Sequence, residues 1–182
     1  MAFLNFTVKD VVFMALIAVA MNVASFLTVP LVVALPVPGI RNVVVAPFFG
    51  LLLAIALLKI KKVGTATIVS FFTGALLVFI SPSILLFELA SGIVADAMGL
   101  LWKGAYSKPV PVVVICAVYM LVNVWFGIIF GALLAVGDFS LGWFVEQPLI
   151  VAAASAVSLL LGGAGALVGA RVSGEFKKAG VA

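Results

Sequence analysis

The chain contains no histidine and a single cysteine, and its 182 residues carry only ten basic and six acidic side chains. Each scarcity removes a class of function. Without imidazole there is no histidine-ligated zinc or haem and no histidine general base. Cys116 has no partner within the chain, so no intrachain disulfide forms and cysteine usage says nothing about redox compartment. The phosphate loop G-x-x-x-x-G-K-[ST] is missing, which excludes nucleotide hydrolysis by that route. Any remaining catalytic chemistry would fall to carboxylates. The two most suggestive, Glu88 and Asp96, stand two helical turns apart, ~12 Å along a helix axis, too far to share a proton. The expectation is a chain that is not an enzyme and binds no metal or cofactor of its own.

Charge is scarce because apolar residues take its place. Only 9% of residues are charged, 66% are hydrophobic, and the mean hydropathy is +1.46. That composition belongs to an integral membrane protein. The apolar runs divide into six candidate spans, at about 11–28, 43–58, 63–80, 82–102, 109–136 and 143–170. No linker or low-complexity segment interrupts them, so 1–182 reads as one all-α domain, a six-transmembrane-helix bundle. The segment 29–42 between the first two spans is apolar but holds Pro30, Pro36 and Pro38. It is expected to be a loop and not a continuous helix, lying over a cavity at the membrane surface. In the last span Gly165 and Gly169, four apart, favour close helix approach.

Six spans place Lys9, Lys59, Lys61, Lys62, Lys103, Lys108, Arg171, Lys177 and Lys178 on one side and leave only Arg41 opposite. The positive-inside rule then puts both termini in the cytoplasm.

The run SPSILLFELASGIVADAMGLLW at 81–102 organises the candidate site. Carboxylates inside a bilayer are costly, ~2.5–3.5 kcal/mol each on insertion scales, so a lipid-facing helix would not keep Glu88 and Asp96. On a helix Glu88, Gly92, Ala95 and Gly99 share one small, acidic face, with Asp96 at its edge, while Leu86, Ala90, Ile93 and Leu101 lie on the other. The outer half of the bundle also holds Arg41, Asn42, Asn123 with Tyr119 on the same face, Trp143, Glu146 and Gln147. Carboxylate, amide and aromatic groups around a concavity suit a small ligand. Trp143 also fits an interfacial belt residue, and Glu146 a solvated charge at a helix start. Because no basic residue lies within another span, Glu88 is expected to find its partner on the ligand, an amine or cationic nitrogen.

In the first span Ala15 and Ala18 recur with Asn22 and Ser25, and Ala20 with Ala24. Such small stripes serve either internal packing or docking of another subunit. The small-residue face FMALIAVAMNVA, the proline loop VPLVVALPVPGI and the acidic span LLFELASGIVADAMGLLW together resemble the substrate-binding S component of energy-coupling factor (ECF) vitamin transporters. The resemblance covers most of the chain. It implies a multi-pass subunit of the prokaryotic plasma membrane that captures a vitamin-like molecule from outside. The ligand passes inward on a membrane scaffold subunit driven by two ATPase subunits, which use the ATP. It implies substrate contacts from Arg41, Asn42, Glu88, Asn123, Trp143, Glu146 and Gln147, and scaffold docking through Ala15, Ala18, Ala20 and Ala24. Metal-specific relatives use an N-terminal histidine that this chain lacks, so cobalt and nickel are not expected. Thiamine or its aminopyrimidine precursor is the lead ligand. The alternative is a stand-alone secondary transporter or channel for a small solute, although the chain shows no convincing inverted repeat.

Overall fold

The computed structural model describes residues 6–34, 40–102, 104–134 and 147–178. Helix α1 (Val8–Leu27) begins at a reciprocal cap: Thr7 Oγ1 accepts from the Asp10 N–H, and Asp10 accepts from the Thr7 N–H. A six-residue helix, α2 (Val29–Ala34), follows at once. Helix α3 (Ile40–Ile60) ends where Lys61 turns to a positive φ of 57°. Gly64, at φ 99°, starts α4 (Thr65–Leu77). Ser81 and Pro82 open α5 (Pro82–Leu101), with proline in the first turn, where no N–H is required. A 3-10 turn (Ala105–Ser107) leads to α6 (Pro109–Leu133), and α7 (Pro148–Lys178) completes the bundle.

Among the described residues five helices, α1, α3, α5, α6 and α7, are long and apolar enough to cross a membrane, which makes this a multi-pass membrane protein. Helix α4 has 13 residues, ~20 Å of rise, and gives way at 78–80 to a turn in which the Ile80 N–H reaches the Leu77 carbonyl. The helical part of the expected span at 63–80 is therefore shorter than its apolar run. The expected loop at 29–42 is also corrected. Pro30 sits in the first turn of α2, where its missing N–H costs nothing, and Arg41 and Asn42 belong to the first turn of α3. Pro36 and Pro38 lie outside the described residues.

The helices form a ring in the order α1, α3, α7, α6, α5, α4, closed by α4 on α1, with α3 also touching α6 across it. The tightest seam joins α3 to α7. Side chains on Gly165, Gly169 or Gly50 would fall onto the backbone of Pro47, Leu51 and Gly162 respectively, so these helices touch main chain to main chain. One end of the bundle is basic. There Lys62 Nζ reaches Asp10 at 2.6 Å, and Lys59 lies 4.5 Å from the centre of the Phe13 ring. Met14, Leu53, Leu57, Val69, Val112 and Ile115 fill the interior, and Val12, Leu16, Val23, Ile93 and Leu160 face outward, as a lipid-immersed surface requires.

Candidate functional site

The small face of α5 packs inward. Gly92 lies against Ser70 and the Ala66 carbonyl, and Gly74 of α4 lies against the Leu85 backbone, so α4 and α5 approach closely. Both carboxylates of α5 enter the interior, Glu88 4% and Asp96 5% exposed.

Their surroundings differ. Asp96 Oδ2 accepts from the Thr67 N–H at 2.7 Å and the Thr67 hydroxyl at 2.6 Å, and Oδ1 accepts from the Tyr106 hydroxyl at 2.6 Å. The Thr67 N–H is a first-turn donor of α4 with no helical partner, and a carboxylate there also complements the helix dipole. Asp96 is thus a cap supplied by one helix to the start of another. Burial, and then the Asp96 charge, push the Tyr106 hydroxyl well above the ordinary tyrosine range, so it stays a proton donor.

Glu88 lies two turns into α5, nearer the other end. The Tyr119 hydroxyl of α6 donates to its Oε2 at 2.5 Å and itself accepts from the Ser70 hydroxyl at 3.2 Å. Asn123, one turn further along α6, faces the same carboxylate. Its Nδ2 is buried, interacts with that carboxylate, and closes no hydrogen bond of ordinary length among the described residues. From α3, Arg41 interacts electrostatically with Glu88 and donates Nη2 to Ser25 Oγ of α1 at 2.9 Å. Asn42 Nδ2 donates to the Asn123 carbonyl at 3.4 Å. One turn before Ser25, Asn22 donates to the Thr73 carbonyl at 3.2 Å, and its buried Oδ1 has no donor among the described residues. A polar cluster fed by α1, α3, α4, α5 and α6 thus sits inside an otherwise apolar bundle. It combines opposite charges, a phenol and two buried amides with unused hydrogen-bonding capacity.

Of the expected substrate residues, Arg41, Asn42, Glu88 and Asn123 converge on this cluster. Gln147 is exposed immediately before α7, where its carbonyl accepts from the Ile150 N–H. Trp143 and Glu146 lie outside the described residues. The expectation that Glu88 lacks a protein partner is overturned, because Tyr119 donates to it and Arg41 turns into the bundle instead of staying at the surface. With that, the argument for an obligatory cationic ligand falls. Ser70 was not singled out, and Asn22 and Ser25 were legible only as part of a stripe of small residues. Their helical spacing carried the signal, but not the neighbours they meet. On α1, Ala18 is fully buried in the core and closed to a partner, while Ala15, Ala20 and Ala24 are half-buried.

No family model, curated protein or solved structure matches the chain.

Proposed function

We propose that this chain is the substrate-binding subunit of an ECF-type ATP-binding-cassette importer, holding a vitamin-like micronutrient in the cluster around Glu88. One observation carries the reading: beside the buried Glu88 carboxylate, the buried Asn123 amide keeps a donor that closes no hydrogen bond of ordinary length among the described residues. Buried polar groups of this kind cost ~1–3 kcal/mol each when unpaired, and a ligand with matching groups recovers that cost. Asn123 offers a donor and Glu88 an acceptor. A planar ring with an amino group beside a ring nitrogen complements both, so thiamine and its aminopyrimidine precursor head the ligands to be tested. No charge on the ligand is required, since Glu88 already has a donor in the Tyr119 hydroxyl.

In this reading the basic end and both termini face the cytoplasm of a prokaryotic cell, and α4 completes a sixth crossing. The cluster then lies toward the outer side, where capture begins. Lacking a phosphate loop, the chain draws its energy from two ATPase subunits through a scaffold subunit. The scaffold docks on α1 near Ala15, Ala20 and Ala24, because the inward-facing Ala18 is not accessible.

The test is affinity purification from the native membrane, followed by mass spectrometry of retained proteins and of ligand released on denaturation. Recovery of an ATPase pair together with a nitrogen heterocycle supports the proposal. Uptake by the purified chain alone in liposomes contradicts it and makes the protein a stand-alone secondary transporter.

A further inference from the structure

A concavity lies far from the Glu88 cluster, between α1 and α3 at the basic end. It has a volume of about 450 Å³ and is lined by Val8, Lys9, Asp10, Val12, Phe13, Leu16, Lys59 and Ile60. That volume is within the ~300–1,000 Å³ range of small-ligand sites. The walls are graded. From Val8 to Leu16 is two turns of α1, ~12 Å, and below the first turn the lining is entirely apolar. Val8, Val12 and Leu16 are 79%, 53% and 62% exposed, so the groove opens sideways toward the acyl chains and not into the bundle.

Polar groups are confined to the mouth. Asp10 is engaged by Lys62 and by the Thr7 cap, which offsets its charge. Among the described residues Lys9 and Lys59 form no ion pair, and Lys59 is held over the Phe13 ring inside the groove. The mouth therefore presents two ammonium groups above an apolar slot that runs along α1.

We propose that this groove binds an anionic phospholipid, its phosphate between Lys9 and Lys59 and one acyl chain along Val12, Leu16 and Ile60. Charge complementarity selects this occupant: an amphiphile with a negative head and an apolar tail matches the mouth and the slot together. A lysine at the membrane surface strengthens binding of an anionic lipid about fivefold, so the pair contributes roughly twenty-five-fold.

The experiment is native mass spectrometry of the purified full chain in an uncharged detergent, titrated with dioleoylphosphatidylglycerol or dioleoylphosphatidylcholine. Wild type should retain one phosphatidylglycerol at least tenfold more tightly than phosphatidylcholine. The double variant Lys9→Gln/Lys59→Gln should lose that preference, and Leu16→Trp, which fills the slot from an exposed position, should weaken both lipids. Equal retention of the two lipids by wild type overturns the proposal and leaves the groove to a protein partner or a second copy. A preference that survives in the double variant overturns it too, by moving the lipid to other basic residues. The wild-type comparison stands even where a variant fails to fold.

Discussion

Replacing Asp96 by alanine should unfold the bundle far more readily while leaving ligand chemistry at Glu88 in place. The carboxylate accepts three hydrogen bonds, from the Thr67 N–H, the Thr67 hydroxyl and the Tyr106 hydroxyl. A hydrogen bond to a charged group contributes ~1.5–3 kcal/mol, but bonds that share one acceptor group do not add. Without the carboxylate the Thr67 N–H and the Tyr106 hydroxyl are left buried and unpaired at ~1–3 kcal/mol each, so we take a total of about 3–5 kcal/mol. For a chain of this size it corresponds to a fall in Tm on the order of 10 °C. Thr67→Val keeps the N–H and loses only the hydroxyl, so it should cost about 1 kcal/mol. Thermal unfolding in one detergent, followed by circular dichroism, compares the variants directly. Linkage adds a second signature. The Tyr106 hydroxyl is raised by burial and by Asp96, so the unfolded chain ionises first as pH climbs past 10.0, and stability falls there. Tyr106→Phe should flatten that alkaline loss relative to wild type. An Asp96→Ala Tm within 2 °C of Thr67→Val, on the same order-of-magnitude scale, would refute the capping role.

Other consequences follow from the same contacts. Gly165→Val should lower stability by ~3 kcal/mol or more, because its Cβ meets the Pro47 backbone, which cannot yield like a side chain. Gly174→Ala has open space and should be neutral or stabilising by up to about 1 kcal/mol, in the same unfolding assay. Cysteine placed at Ile80, exposed in the turn after α4, should react with an impermeant thiol reagent from outside intact cells, and cysteine at Lys61 only after lysis; the buried Cys116 stays silent. Reversed labelling would invert the proposed orientation. Ala20→Trp, on the half-buried part of α1, should abolish uptake in cells but leave ligand binding by the purified chain unchanged; loss of both would make the position internal packing.

Helix positions were readable because apolar length and proline–glycine punctuation act locally. Val8–Leu27, Pro82–Leu101 and Pro109–Leu133 lie within a few residues of the expected spans. The proline segment was misread in part, since counting prolines ignores that Pro30 falls in a first turn, where it is tolerated. That error carried Arg41 to the surface, although α3 begins early enough for its guanidinium to reach Ser25 inside the bundle. Glu88 stood out because a carboxylate in an apolar run demands an explanation. Asp96 stood out for the same reason, yet its role lay in donors from α4 and the Ala105–Ser107 turn, and no spacing within α5 reveals those. Ala18 illustrates the limit from the other side. A stripe of small residues looks alike whether it packs inward or awaits a partner, and only the neighbours of α1 decide that it packs inward.

The central claim is that the Glu88–Asn123 cluster holds the ligand, and calorimetric titration of the copurified ligand into matched variants tests it most directly. Glu88→Gln should weaken binding by ~1.5–3 kcal/mol, ten- to a hundredfold, and Asn123→Leu, which removes the unpaired donor, by a comparable factor. Asp96→Asn, measured below its unfolding range, should bind as wild type does. Wild-type affinity in both Glu88→Gln and Asn123→Leu would contradict the account and leave the cluster a structural feature of the bundle.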